Sequence, residues 1–248
     1  MNRQAQGVVM LLLGGAVLKA SLTDMYLRYV KEGLRPFLIA AGAVLVVTAA
    51  MTLWYDLRRG DREPHDREPH DREPHNADGD HAHREPRVGW ALVLPVLGLL
   101  LVAPPALGSY AAGQSGTALS SQQTSDFPPL PKGDPAPISV LDYASRAVFD
   151  KGVSLRGRSV QLTGFVSNGS DGQPILARMI LTCCAADARP IKVGLSGNAP
   201  AGLPGDTWIQ VVGRYSERTV KDPVNEETIP YLEVETWQQI DPPKEQYE

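Results

Sequence analysis

The sequence predicts a membrane α-helical N-terminal part with three transmembrane helices, followed by a small all-β, OB-like domain with one leading helix. Residues 36–55 and 88–125 contain no charged residue, and about 20 apolar residues let a helix cross the hydrocarbon core of a bilayer. After residue 160, short alternating patterns separated by polar turns predict the strands of a small barrel. Together these patterns indicate an integral membrane protein that carries a compact β domain.

The predicted membrane part begins with a transmembrane hairpin over residues 1–55, with helices at 7–30 and 36–55. A third transmembrane helix is predicted at 88–108. Aromatic residues lie near the ends of these segments, where side chains meet the interface between membrane and water. Small residues such as Gly14 and Gly42 allow close packing between the helices.

Two ionisable residues, Lys19 and Asp24, fall in the first predicted helix and are candidates for intramembrane polar sites. In one interpretation they line a polar path or pair with a partner helix. In the other, the helix ends near Leu22 and Lys19 extends its ammonium group to the interface. The sequence leaves both interpretations open.

Residues 56–87 form a charged linker that contains three identical copies of DREPH, at 61–65, 66–70 and 71–75. A proline in every repeat and the high charge density predict disorder. All five histidines of the chain lie in this linker: His65, His70, His75, His81 and His83. They either capture divalent metal ions weakly or belong to a solvated loop that was lengthened by duplication.

The distribution of lysine and arginine predicts the orientation in the membrane. The N-terminus and the linker carry eight of these residues, whereas the opposite side carries three, Arg28, Lys31 and Arg35. We therefore expect a multi-pass protein of the plasma membrane with a cytoplasmic linker and an extracytoplasmic C-terminal domain. The long apolar segments make the lipid bilayer an expected partner. Because the net charge is −4, we expect no nucleic acid as a partner.

The C-terminal half divides into three predicted parts: a flexible Gly/Ser/Gln/Pro tether at 109–137, an OB-like domain at 138–241 and a tail at 242–248. Ser139 and Asp142 predict the capped start of the leading helix. Five strands are expected at residues 160–167, 174–184, 191–195, 207–215 and 229–240.

The sequence predicts two departures from a regular OB-fold. Gly164 interrupts the apolar face of the first strand, as a β-bulge would. Residues 196–206, which are rich in glycine and proline, cannot form the helix that an OB-fold usually has between its third and fourth strands.

The two cysteines of the chain, Cys183 and Cys184, are adjacent in the block TCCAADA. Thiolates bind zinc and copper(I), so the pair predicts a soft-metal or redox site, for which Asp187 is a third candidate ligand. Adjacent residues of a regular strand point to opposite faces, so both sulfur atoms reach one ion only if the strand breaks there. The alternative interpretation is one buried structural cysteine beside a chance neighbour.

Enzyme signatures are missing from the sequence. It contains no GxSxG, HExxH, Walker or Rossmann motif, and the predicted β domain contains no histidine base. We therefore expect that the protein is not an enzyme.

The segments LLLGGAVLKASLTDMYLRYV and RPFLIAAGAVLVVTAAM, a variable charged loop, a third apolar span and the TCCAADA block together resemble the bacterial YcgQ-type family. Members of this family are described as subunits of two-component permeases, with a loose association with zinc or other metal supply. The resemblance implies a polytopic permease as partner and a role for Cys183, Cys184 and Asp187.

The predicted function is that of an accessory permease subunit whose extracytoplasmic β domain binds or gates a solute, such as a zinc ion. The alternative is a membrane-anchored OB-like module for protein interaction or envelope assembly. A third hypothesis is a thiol-redox sensor that uses the cysteine pair.

Overall fold

The computed structural model describes residues 3–60, 98, 105–119, 127–169 and 172–248. The chain divides into two compact units. The first, called the helical unit, comprises residues 1–25 and 33–104, and the second, called the barrel unit, comprises residues 26–32 and 105–248.

Over residues 3–60, the structure describes two helices of the helical unit, α1 (Arg3–Leu22) and α2 (Arg35–Gly60). The helices pack against each other through glycines, as the sequence predicts. A Cβ atom at Gly14 would lie 2.9 Å from side-chain atoms of Leu45 and 3.1 Å from the carbonyl oxygen of Gly42. The two backbones therefore approach as closely as small residues permit.

Helix α1 ends at Leu22 and not at residue 30, so the predicted 24-residue span at 7–30 is wrong. A 3₁₀ helix, Asp24–Arg28, follows it. Carbonyl groups in the last turn of a helix have no hydrogen-bond donor within the helix. In α1, side chains donate hydrogen bonds to some of these carbonyl groups. Arg35 Nε donates to the carbonyl oxygen of Ser21 at 3.0 Å, which favours termination at this point.

One helix among the described residues is long and apolar enough to cross a membrane, namely Glu32–Arg58, and 11 % of its most apolar window is buried. The apolar part of α1, Gln6–Leu22, is shorter. The third predicted helix, 88–108, lies outside the described residues except for 98 and 105–108, and 105–108 are not helical. The described residues thus support one candidate span instead of three, which is consistent with a membrane-associated protein.

The described part of the barrel unit contains six strands and two short α-helices. The strands are β1 (Ala136–Pro137), β2 (Val160–Asn168), β3 (Pro174–Ile180), β4 (Arg189–Gly197), β5 (Trp208–Lys221) and β6 (Thr228–Gln239). The helices are α3 (Ser109–Gln114) and α4 (Val140–Phe149).

The sheet order is β1-β2-β3-β4-β6-β5, and a further pairing between β2 and β5 closes the barrel. Strands β4 and β6 are parallel, whereas the other neighbours among β2–β6 are antiparallel. This five-stranded Greek-key order is that of an OB-like barrel, as the sequence predicts. Residues 198–207, between β4 and β5, contain no helix, also as predicted.

Strands β3 and β5 end furthest from their predicted bounds. Strand β3 ends at Ile180 and not at residue 184, because the chain turns into a 3₁₀ helix at Ala185–Asp187. Strand β5 continues to Lys221, with two register shifts that allow the long β5–β6 hairpin to bend.

The predicted bulge at Gly164 is wrong, because the pairing of β2 with β5 runs through this residue without a shift. The residue is a glycine for a different reason. A Cβ atom there would lie 2.6 Å from the carbonyl oxygen of Ala177 on β3, which is closer than real Cβ contacts. Strands β2 and β3 therefore approach each other over this position.

Two buried clusters stabilise the barrel unit. The larger fills the barrel and is covered by α4, whose start is capped by Ser139 accepting from the N–H of Asp142 at 2.9 Å. The smaller lies on the other side of β2 and β3, and it consists of Ala112, Phe165, Ala177, Met179 and Trp208. Burial of apolar area in both clusters is the main force that holds this unit together.

The described part of the predicted tether 109–137 packs on the barrel. Helix α3 contributes Ala112 to the smaller cluster, and β1 pairs with the start of β2. Thr117 is buried, and its N–H donates to Asp222 Oδ2 at 2.8 Å. The prediction of a flexible tether is therefore wrong for residues 109–119 and 127–137.

The predicted tail 242–248 also packs on the barrel. Tyr247 forms a bridge with Met179, and the N–H of Glu248 donates to the carbonyl oxygen of Met179 at 2.9 Å. The Glu248 carboxylate accepts from the N–H groups of Val140 and Leu141 at the start of α4. An anionic group is favourable at this position because the helix N-terminus carries partial positive charge.

Candidate metal-binding site

The candidate site is the loop Thr182–Asp187, called the cysteine loop, which follows the end of β3. Cys183 is exposed and Cys184 is half-buried, so the interpretation of one buried structural cysteine is wrong. Because the strand has ended at Ile180, the alternation of side chains across a sheet no longer separates the two sulfur atoms.

The carboxylate of Asp187 organises the cysteine loop. Its Oδ1 accepts the N–H of Thr182 at 2.8 Å. Its Oδ2 accepts the N–H of Cys183 at 2.9 Å, the N–H of Cys184 at 3.2 Å and the thiol of Cys183 at 2.9 Å. Three main-chain donors and one thiol therefore converge on one side chain.

These hydrogen bonds set the charge state of the loop. The thiol of Cys183, together with the N–H groups of Thr182 and Cys183, holds the pKa of Asp187 well below its usual range. The hydrogen bond to Asp187 and contact with Cys184 raise the pKa of Cys183 to about 11. Without a metal ion, the site is thus a carboxylate beside a protonated Cys183 thiol.

The three side chains form a group with the chemistry of a metal site. One ligand atom from each of Cys183, Cys184 and Asp187 lies within 4.8 Å of the others. Two sulfur donors and one oxygen donor suit a thiophilic cation, which displaces the thiol protons when it binds. The structure therefore brings together the three residues that the sequence singles out.

A second chain segment braces the cysteine loop. Val30 forms an antiparallel bridge with Cys184. The N–H of Lys31 donates to the carbonyl oxygen of Cys183 at 3.1 Å, and the N–H of Ala185 donates to that of Tyr29 at 2.7 Å. The connection between α1 and α2, residues 26–32, is accordingly part of the barrel unit.

The tail supports this bracing segment. The hydroxyl of Tyr247 donates to the carbonyl oxygen of Arg28 at 2.8 Å and accepts the N–H of Leu107 at 3.0 Å. Desolvation by burial raises the pKa of Tyr247, so its hydroxyl stays a donor at any physiological pH. Sequence reasoning missed residues 28–31 and 247, because single bridges between distant segments leave no periodic pattern.

The other predicted site residues lie elsewhere. Lys19 is exposed in the last turn of α1, and Asp24 is exposed in the 3₁₀ helix that follows, which favours the interpretation that α1 ends near Leu22. The five predicted weak metal ligands of the linker lie outside the described residues; they are His65, His70, His75, His81 and His83.

Comparison with known protein families gives a match for the C-terminal part of the chain. Residues 148–248 match the family model described as DUF1980 C-terminal domain, a range that contains β2–β6 and the cysteine loop. No curated protein and no solved structure matches the chain. The resemblance to the YcgQ-type family is compatible with this result.

Proposed function

We propose that this chain is a membrane-anchored accessory subunit of a permease, and that its OB-like barrel captures a thiophilic metal ion as the solute. One observation carries the proposal. Cys183, Cys184 and Asp187 present ligand atoms within 4.8 Å of one another on an exposed, braced loop. A loop of this kind suits capture and release better than a buried structural metal site, which is closed by four protein ligands.

The proposed anchor is the helical unit. Helix α2 supplies the candidate span, and many of its large apolar side chains are exposed: Phe37, Val44, Val47, Met51, Trp54, Tyr55 and Leu57. Lipid or the helices of a polytopic permease would cover these side chains. We propose a multi-pass arrangement in which α1 and residues 88–108 complete the membrane part.

The proposed orientation places the linker in the cytoplasm and the barrel outside, because lysine and arginine are concentrated at the N-terminus and in the linker. We propose no catalytic step for the protein. Its role would be to hold an ion and to present it to the permease.

Metal binding by the full chain in detergent tests the proposal. We expect one Zn²⁺, Co²⁺ or Cu⁺ ion per chain by elemental analysis after gel filtration. A Cys183→Ser, Cys184→Ser double variant should bind none, whereas an Ala186→Ser control, which changes the same loop but keeps both thiols, should bind normally. If the purified wild-type chain binds no ion above the level of the double variant, the metal part of the proposal is wrong.

Co-purification tests the permease part. A tagged chain extracted from membranes with a mild detergent should bring a polytopic membrane protein with it in a fixed ratio. A chain that comes out of washed membranes alone, while still folded by circular dichroism, would contradict this part and leave the metal part standing.

A second candidate function is an OB-like module for protein interaction or envelope assembly. One observation favours it: the Asp187 carboxylate already accepts four hydrogen bonds, so the cysteine loop also has a complete structural explanation. Trp237, which is 37 % exposed on β6, is then the residue to test, because exposed aromatic side chains are enriched at protein interfaces. Loss of function in Trp237→Ala but not in the cysteine double variant would favour this alternative.

A further inference from the structure

We infer that the cysteine loop selects a soft monovalent cation of the copper(I) class, held by the sulfur atoms of Cys183 and Cys184, over Zn²⁺. This inference deepens the proposed function and rests on its metal part. Three features support it: the carboxylate of Asp187 already accepts main-chain hydrogen bonds, the main chain of the loop is held in place, and few further metal ligands lie near the two cysteines.

The first step concerns Asp187. Its two carboxylate oxygens have about four acceptor positions, and three of them are taken by the main-chain N–H groups of Thr182, Cys183 and Cys184. Withdrawing the carboxylate to bind a metal ion would leave these three donors without their partner, which is energetically unfavourable. Asp187 is therefore placed to position the loop and not to act as a strong ligand.

The second step concerns the main chain on either side of the sulfur atoms. The carbonyl oxygen of Cys183 accepts from Lys31, and Ala185, next to Cys184, donates to Tyr29. The N–H of Asp187 bonds back to the carbonyl oxygen of Cys184 at 3.0 Å. With the main chain held at three points, the loop has little freedom to wrap around an ion, and the two cysteine side chains do the binding.

The third step concerns a fourth ligand. Zn²⁺ in proteins is almost always bound by four ligands, typically cysteine and histidine. The chain has no histidine after His83. Met179, near the end of β3, is also a possible sulfur ligand by residue type, but its side chain is 1 % exposed and packs in the smaller cluster. Among the described residues, the cysteine loop is the one group of three or more cysteine, histidine, aspartate or glutamate side chains with metal-site spacing.

Two thiolates on a rigid loop match the coordination of a soft cation with few ligands. Thiolates favour copper(I), and such d¹⁰ monovalent ions are stable with two sulfur ligands. On binding, two S–H bonds give up their protons to solvent, two sulfur–metal bonds form, and the metal stays monovalent, so no electron donor is required. The class of solute is then a cation delivered already in its reduced, monovalent form.

Competition between metals tests the inference on the full chain in detergent. The probes are Cu⁺, buffered by a chromogenic copper(I) chelator under anaerobic conditions, and Ag⁺ as a redox-inert analogue. We expect one ion per chain, two sulfur neighbours by X-ray absorption spectroscopy, and no displacement by a large excess of Zn²⁺. Displacement by Zn²⁺, or a tetrahedral Co²⁺ spectrum, would overturn the inference while the metal part of the proposed function survives. Absence of any metal binding overturns both.

Single variants separate ligands from positioning residues. Serine keeps the hydrogen-bonding capacity of cysteine, so Cys183→Ser and Cys184→Ser should keep the fold by circular dichroism but lose binding of one Cu⁺ per chain. Asp187→Asn should keep the stoichiometry, with affinity lowered by about 10- to 100-fold, as for other residues that orient ligands. Complete loss of Cu⁺ binding in a folded Asp187→Asn variant would make Asp187 a ligand and would overturn the inference.

Discussion

At the scale of single residues, the hydrogen bond from the Cys183 thiol to Asp187 links structure to reactivity. It stabilises the protonated thiol and the ionised carboxylate together, at an S–O distance of 2.9 Å. Since the thiolate is the form that attacks electrophiles, an exposed cysteine in this setting reacts more slowly than its exposure alone indicates.

This gives a prediction for alkylation. The pKa of Cys183 is raised from an ordinary value of about 9 to about 11, so its thiolate fraction should still be rising above pH 10. Rates of iodoacetamide labelling of the peptide containing Cys183, followed by mass spectrometry in the metal-free chain, should rise with pH along a titration curve whose midpoint is at about pH 11. In Asp187→Asn the midpoint should move down. A wild-type midpoint near pH 9 would contradict the hydrogen bond.

Gly164 gives a second prediction at this scale. In Gly164→Ala the new methyl group would meet the carbonyl oxygen of Ala177 at 2.6 Å, and overpacking of this kind destabilises by about 1–3 kcal/mol. Gly113 in α3 is the matched control, because a Cβ atom there has nothing within 4 Å. Gly113→Ala should be neutral or stabilising by up to about 1 kcal/mol. Denaturant unfolding followed by tryptophan fluorescence measures both, and equal effects would contradict the close approach.

At the scale of elements, the buried pair Lys192–Asp222 fixes the segment before α4 to the barrel. Lys192 Nζ lies 2.8 Å from Asp222 Oδ2, and the two side chains are 6 % and 0 % exposed. Asp222 also accepts the N–H of Thr117 and that of Val224. One carboxylate thus connects strand β4, the turn after β5 and the segment that the sequence predicts as a tether.

The third prediction removes this carboxylate. Asp222→Ala leaves the Lys192 charge buried without its partner, which destabilises by about 3–5 kcal/mol in comparable pairs. The double variant Lys192→Met, Asp222→Ala should recover part of this loss, because no charge remains buried. The free energies of unfolding are measured by denaturant titration. A double variant that is less stable than Asp222→Ala would contradict the claim that Lys192 and Asp222 form a buried ion pair.

The same pair gives stability a pH dependence. Burial raises the pKa of Asp222, but hydrogen bonds from Lys192, Val224 and Thr117 outweigh it and lower the pKa below its ordinary value. A group with a lowered folded-state pKa contributes stability above its unfolded pKa and loses it as pH falls through the folded value. As pH falls into the acid range, the free energy of unfolding, measured by denaturant titration at each pH, should therefore decrease more steeply in the wild type than in the double variant Lys192→Met, Asp222→Ala.

Elements with a repeating pattern could be predicted from the sequence, whereas those fixed by single contacts could not. The alternation in β2 and β6 and the Ser139 cap of α4 identify the barrel and its leading helix. The polar composition of 109–137 conceals Ala112 and Thr117, each of which packs because of a specific partner. The cysteine loop could be found from its residue types, but its bracing by residues 29–31 could not, since a pairing between positions about 150 residues apart leaves no local signal.

At the scale of the whole molecule, the helical unit and the barrel unit are built on different physical principles. The barrel buries its apolar side chains, whereas α2 leaves a row of large apolar side chains exposed. Contact between so much apolar surface and water is energetically unfavourable. Such a helix is consistent with a membrane-associated protein. The first predicted span is wrong because α1 ends at Leu22, and the polar residues Thr23 and Asp24 follow it.

The last prediction concerns orientation. In a Cys183→Ser, Cys184→Ser background, Val153→Cys introduces one thiol at a side chain of the barrel that is 58 % exposed. If the barrel lies outside, a membrane-impermeant maleimide should label this thiol in intact cells. A cysteine placed in the charged linker, as in Asn76→Cys, should be labelled only after the membrane is opened. The opposite pattern would place the barrel in the cytoplasm, so the cysteine loop would bind ions there and could not capture a solute from outside.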